Sequence, residues 1–403
     1  MTNSPLLTGL ARHTWSGGAG RYGFLDLYRG LIVLFMLEGH VLRELLTPEI
    51  KAAQFFTFHE IFHGITAPGF LFGAGFTFAI AAQRRWEQVT AFTRGFFRRT
   101  WRAIFLILSG YALHFPFLSL QKTFATATST QWKAFLIFDV LQCIGVGLLL
   151  MRLLLVTVRR ERLFISVLIM LLFAVVYLTP ILWTIQVNEV LPLAISSAIN
   201  GFTGSTFPLF PFIGFLIAGV CVSWIFLRAA QDGNEERFIK WLMLAGALLI
   251  TFGSILDALL FKTYANNMFW ITSPNYFWMR LGVLLLMLGG IWYIENFFAT
   301  HGSSIAWVPK WLTVIGIESF FVYITHLIIL CGWVTNVECN LRWWWGNKLN
   351  IIESLLVFLG LALVMILASF SWRHLKKHHQ VLMNGIIWWM GFCVAWSFLF
   401  NPY

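Results

Sequence analysis

Charge is scarce in this chain. Asp, Glu, Lys and Arg make up 11% of its 403 residues, against 59% hydrophobic residues and a mean hydropathy of +0.77. That balance excludes a soluble enzyme with a single anchor and leaves only spanning segments joined by short loops. Cysteine is equally sparse: the five present form no CxxC pair and no ligand spacing with histidine, so no metal framework is expected. Cys331 and Cys339 could pair on an oxidising side, though an unpaired structural role is the simpler expectation. Residues 1–20 are polar and rich in Gly, Ser and Thr, without the apolar core of a cleavable signal peptide. No internal repeat is evident, which counts weakly against an inverted-repeat transporter.

What is there is a series of long apolar runs. Eleven spans are read, with 10 to 12 as the range: roughly 24–45, 61–82, 103–120, 134–152, 163–183, 207–227, 241–260, 276–295, 311–331, 351–372 and 381–400. The expected fold is therefore an all-α polytopic transmembrane helix bundle. Most of the 28 Lys and Arg fall in alternate loops, in Arg84–Arg102, Arg152–Arg162, Arg228–Lys240 and Arg373–Lys377. By the positive-inside rule the N-terminus is cytoplasmic and an odd span count puts the C-terminus outside. The net charge of +11 is then explained by topology and anionic lipid, and no nucleic-acid partner is expected. The chain divides into a cytoplasmic tail (1–20), a transmembrane core (21–331) and an outer loop with C-terminal transmembrane helices (332–403). The cell membrane is the expected location, the inner membrane if the source is prokaryotic.

The first span hides Asp26, Arg29, Glu38 and His40 among apolar residues. Intramembrane charge of this kind points to function. Arg29 and His40 are eleven residues apart, which places them within about 20° of one helical face and about 16 Å apart along it. Asp26 joins that stripe. Glu38 lies about 200° round from His40 and should meet a different neighbour. The bland alternative is that Arg29 snorkels to one surface and His40 is a satisfied polar residue near the other.

Further polar residues recur in later spans. His59 and His63 are four apart and share a face if their helix begins before Pro68. Zinc could use that spacing, yet no further ligand set accompanies it, so no metal is expected. Gly69, Gly73 and Ala74 let a neighbouring helix approach. His114 precedes Pro116, and Asp139 and Gln142 share one face of the fourth span. Gln142 suits either an interhelical hydrogen bond or a substrate contact. Pro208 and Pro211 leave backbone groups to be satisfied by a cavity or another helix. Arg280 opens the eighth span beside Tyr276 and Trp278, as a site residue or an interfacial anchor. Ser319, Tyr323 and His326 form one stripe of the ninth.

The arginine, ten residues and histidine of the first span, preceded by Leu-Asp and followed by Gly-Leu, resemble the first helix of transmembrane acyltransferases. The later segments look most like the heparan-alpha-glucosaminide N-acetyltransferase-like group, and features are shared with acyltransferase family 3. Residues 67–76 resemble its PxFxFxxG helix, and residues 139–145 its GVLQRIG run, with Asp139 where glycine is common and Cys143 where arginine often stands. Residues 207–215 resemble FPLFPWLGF, and residues 316–326 resemble GxxSLxxYxxH. The resemblance implies a transmembrane acyltransferase core over 21–331. It also places a catalytic histidine near the first outer loop, a role shared here between His59 and His63, with His59 favoured and His63 as its support.

With the expected topology, His40, His59, His63, His114, Asp139, Gln142, Arg280 and His326 all fall in the outer half of the membrane, which a reaction chamber explains and scattered snorkelling does not. The expected catalytic residues are His40, His59, His63 and His326. Arg29, Asp26, Gln142 and Arg280 are expected to bind the donor, acyl-CoA and in particular acetyl-CoA, with Arg84, Arg94 or Arg98 lining a basic mouth. A neutral histidine could take the proton of an attacking hydroxyl or amine, or accept the acyl group itself. The expected acceptor is a glycan or glycolipid, other partners being membrane lipid and, in one arrangement, a second copy as a homodimer. The competing class is a proton-coupled transporter or flippase of an anionic or sugar-containing substrate.

Overall fold

The computed structural model describes residues 22–259, 268–300 and 309–401, so the expected tail 1–20 lies outside the described residues. The described residues are 82% helical and include no strand, an all-α architecture as expected. Its longer helices are α1 (Gly23–Leu45), α2 (Gln54–His63), α3 (Thr66–Gln83), α4 (Arg94–Leu113), α5 (Val140–Val158), α6 (Glu161–Leu182) and α7 (Leu209–Gln231). They continue as α8 (Glu235–Ala258), α9 (Pro274–Thr300), α10 (Lys310–Ile317), α11 (Ser319–Leu330), α12 (Ile351–His378) and α13 (Gln380–Phe400).

Among the described residues, eight helical segments are long and apolar enough to cross a membrane. The bent pair α10 and α11 makes a ninth. The two other expected spans correspond to α1 and α4, which are long helices whose charges set them apart: Asp26, Arg29, Glu38, Arg43 and Glu44 in one, four arginines in the other. Lipid-facing character is strongest in α13, where only 6% of the apolar window is buried.

Two departures from the expected spans have local causes. The second span begins earlier, at Gln54, because α2 and α3 follow each other almost without a break; Pro68 falls in the first turn of α3, where a missing N–H costs nothing. The ninth is two helices meeting at 84° at Glu318, not one straight span. Start signals elsewhere are ordinary: the Asp139 carboxylate accepts the Val140 N–H at 2.7 Å at the head of α5, and Asn350 and Glu353 form a reciprocal cap on α12.

The described residues divide into two compact units interleaved along the chain. One comprises Met1–Tyr28, Ala67–Gly110 and Ile137–Ala306; the other comprises Arg29–Thr66, Tyr111–Leu136 and Trp307–Tyr403, each as far as the described residues reach. The first unit buries an aromatic core in which Phe24, Phe76 and Phe226 meet edge-on or tilted. There α3 and α7 pack backbone to backbone: a Cβ on Gly75 would strike the Leu216 carbonyl, and one on Gly219 the Phe72 carbonyl. The Phe210 carbonyl, freed by non-helical backbone beside Pro211, is taken up by the Trp183 indole N–H at 3.0 Å, as the two prolines require.

In the second unit the end of α1 is clamped by the segment before α12. The backbone N–H groups of Asn347 and Leu349 donate to the carbonyls of Glu44 and Leu45, which would otherwise be orphaned at the helix C-terminus. Arg342 adds an ion pair to Glu44 at 3.1 Å. This fixes the helix that carries His40.

Candidate functional site

Four histidines come together in the second unit. His40 and His326 stack with ring centroids 5.1 Å apart, and His40 Nδ1 lies 2.8 Å from His326 Nε2. His63 lies beside His40 at 6.4 Å between centroids, and His59 stacks on His63 at 5.7 Å. The result is a row of imidazoles, His59, His63, His40 and His326, drawn from α1, α2 and α11. His59 and His63 share one helix that begins before Pro68, so their four-residue spacing puts them on one face as expected.

Partners determine the tautomers, because a carbonyl oxygen can only accept. His326 Nδ1 lies 2.8 Å from the Val322 carbonyl and must donate to it, which leaves Nε2 as an acceptor. His40 then donates its Nδ1–H to His326, and its Nε2 keeps a lone pair that meets no donor among the described residues. By the same argument His63 donates Nε2–H to the Phe35 carbonyl at 2.6 Å. His59 donates Nε2–H to the Glu38 carboxylate, whose oxygens lie at 2.8 and 3.0 Å. Its Nδ1 is buried with no hydrogen-bond partner among the described residues. Glu38 therefore meets a different neighbour from His40, in keeping with its position round the helix.

Gly39 makes this arrangement possible. A Cβ there would overlap the His63 ring, so only glycine lets that imidazole lie against α1 and reach the Phe35 carbonyl.

A second link joins the same two helices. Arg29 Nη2 donates to the Ser319 hydroxyl at 2.8 Å. Arg29 and His40, eleven residues apart, thus meet Ser319 and His326, seven apart, and the arginine's flexible arm absorbs the difference of about 6 Å in rise. The stripe of Ser319, Tyr323 and His326 is intact because all three lie in α11, beyond the bend; Tyr323 meets His326 edge-on at 5.8 Å. At the bend the buried Glu318 carboxylate pairs with Lys376 of α12 at 2.7 Å. Sequence reasoning missed this pair, although an acid inside an apolar run was the signal.

Asp26, Gln142 and Arg280 belong to the first unit and have their own surroundings there. Asp26 is buried. Gln142 is fully buried: its amide reaches the Ile137 carbonyl at a long 3.4 Å, and its Oε1 makes no hydrogen bond among the described residues. The Arg280 guanidinium lies over the Tyr276 ring at 4.0 Å. Asp139 caps α5, and His114 lies just past the end of α4 in the second unit. All five cysteines are free. Among the described residues no group of three or more His, Cys, Asp or Glu could hold a metal ion.

An imidazole with a free lone pair, held by a second imidazole whose own tautomer is fixed, can accept a proton from a nucleophile or attack a carbonyl. The family model described as heparan-alpha-glucosaminide N-acetyltransferase, catalytic, matches residues 21–252. The match takes in His40, His59 and His63 and stops short of Arg280 and His326. No curated protein matches the chain. Spanning more than half of the sequence and joined to the helices described above, the match establishes that this multi-pass membrane protein belongs to the heparan-alpha-glucosaminide N-acetyltransferase family.

Proposed function

We propose that the protein transfers an acyl group, in particular acetyl, from cytosolic acyl-CoA to a hydroxyl or amine of a glycan or lipid-linked sugar on the outer face of the membrane. The observation that carries this reading is the His40–His326 pair, whose hydrogen bonds leave His40 Nε2 unprotonated. That nitrogen takes the proton of the acceptor as its oxygen or nitrogen attacks the thioester carbonyl. The carbon–sulfur bond breaks, and the proton passes to the departing thiolate, giving acylated acceptor and free coenzyme A. His326 holds the imidazole and shares the charge that develops on it. His59, with its carboxylate partner Glu38, is the second base of the row, and His63 supports both.

Arg29 is the donor-side cation, suited to phosphate by its planar fork. Asp26, Gln142 and Arg280 are donor-binding candidates from the sequence pattern, each tested by coenzyme A affinity after substitution. The N-terminus is cytoplasmic on the distribution of arginine and lysine, and the cell membrane is the site of action.

The test is thioester-dependent labelling of an acceptor by purified protein in detergent, which the acyltransferase reading requires. Accumulation of unmodified substrate in sealed vesicles without any labelling would replace it with a transporter.

A further inference from the structure

The first unit gathers more arginines than the basic mouth expected from Arg84, Arg94 or Arg98, and the reaction above assigns a step to none of them. α4 opens with Arg94, Arg98, Arg99 and Arg102, of which the first, second and fourth recur at four-residue intervals and so share a face. Arg85 precedes the short helix Trp86–Val89, and Arg152 comes from the second half of α5. These charges lie close enough to act on one another: Arg99 is within electrostatic reach of Arg85, Arg98 and Arg102, and Arg152 within reach of Arg99 and Arg102.

No acid answers them. Among the described residues none of Arg85, Arg98, Arg99, Arg102 and Arg152 has a carboxylate within ion-pair distance. Glu87, on the short helix that Arg85 precedes, is within ion-pair distance of none of the five, and the acids near Arg152 are placed elsewhere. Asp139 caps the opposite end of α5, thirteen residues or about 20 Å from Arg152. Glu161 accepts the Trp224 indole N–H at 2.8 Å and pairs with Arg228. Arg152 is half-buried; among the described residues its guanidinium makes a long 3.4 Å contact to the Phe96 carbonyl, and its buried Nε has no hydrogen-bond partner. Like charges assembled at the edge of an apolar bundle repel unless an anion joins them.

The type of cation narrows the ligand. Across residues 84–110 and 137–162 every basic residue is arginine, and none is lysine. A guanidinium fork matches the oxygens of phosphate two at a time, which a lysine ammonium does not. We propose that Arg98, Arg99, Arg102 and Arg152, drawn together from α4 and α5, form a binding site for a phosphate group. Two sources carry that chemistry, the nucleotide phosphates of a soluble acyl donor and the headgroup of an anionic phospholipid.

Full-length protein tests the proposal without catalysis, so absence of acyl transfer would leave it standing. Adenosine 3′,5′-bisphosphate binding is measured by calorimetry in detergent, and phosphatidylglycerol retention by native mass spectrometry from mixed phosphatidylcholine and phosphatidylglycerol nanodiscs. Wild type is expected to bind one probe, and the doubly substituted Arg99→Gln, Arg152→Gln protein to bind it at least about 10-fold more weakly. Arg373→Gln, the same charge change in the second unit, should leave binding unchanged. Arg102→Gln, at an exposed position, keeps the test open if the double substitution does not fold, with at least about a threefold loss expected. Loss confined to the bisphosphate assigns the site to a soluble phosphate, and loss confined to phosphatidylglycerol assigns it to lipid. Equal binding of both probes by wild type and Arg102→Gln, or no binding of either by wild type, overturns the proposal.

Discussion

His326 accepts the Nδ1–H of His40 at 2.8 Å because its own Nδ1–H is committed to the Val322 carbonyl, so a backbone atom of α11 decides which nitrogen of His40 is free. His326→Ala should therefore lower kcat by at least about 10²-fold while leaving the protein folded. His326→Gln, which can still accept at that distance, should recover part of the loss. Equal kcat for the two variants in a purified-protein assay would show that the acceptor at this position does not matter.

Arg29 gives a test of the donor side. Arg29→Ala should weaken coenzyme A binding more than Arg29→Lys, since lysine keeps the charge and loses the fork. Because Arg29 also donates to Ser319, a double-mutant cycle of Arg29→Ala with Ser319→Ala should return a coupling of about 1.5–3 kcal/mol in stability. Unchanged affinity in both arginine variants, measured by calorimetry, would confine Arg29 to a structural role.

Gly39→Ala should place a methyl group in the His63 ring, push the imidazole from the Phe35 carbonyl and destabilise the protein by about 1–3 kcal/mol. The same substitution in a His63→Ala background should be close to neutral. Thermal unfolding of the four proteins checks this, and equal losses in both backgrounds would sink the packing argument.

The two histidines of α2 divide by partner. His59→Ala should cut activity at least about 10-fold, and Glu38→Ala should do the same by removing its orienting carboxylate. His63→Ala should act mainly on stability, through its bond to α1. Activity of the three variants from about pH 5.5 to 8.5 separates these roles, and a full rate with an unaltered pH profile in both histidine variants would remove the row from the mechanism.

Much of this was legible in the sequence. The spacing of Arg29 and His40 on α1 and of Ser319 and His326 on α11 is a matter of helical period, and it survives folding because neither stripe is interrupted. The pairing of His40 with His326 was not legible, since 286 residues separate them and periodicity gives a face without naming its neighbour. The 84° bend at Glu318 was hidden as well. No proline marks it, and the pair that accompanies it, Glu318 with Lys376, depends on the position of α12. Gly39 looked like one glycine among 32, and only the His63 ring against it gives the reason for its place. The shortfall at the second span was one of reach: the polar residues before Pro68 masked a helix that starts at Gln54.

The buried Glu318 offers a check independent of activity. Lys376→Met should leave its carboxylate unpaired and cost about 1–3 kcal/mol, less than a fully buried pair because Lys376 is half exposed. Glu318→Gln, which removes the charge, should cost less. Denaturant or thermal unfolding orders the two, and the reverse order would contradict the pairing.

The most direct measurement of the central claim is acyl transfer from radiolabelled acetyl-CoA by purified wild-type and His40→Ala protein in detergent, with released coenzyme A thiol counted against labelled acceptor. The account predicts one thiol per labelled acceptor in wild type and a loss of at least about 10²-fold in His40→Ala at an unchanged unfolding temperature. Wild-type turnover by folded His40→Ala would contradict it.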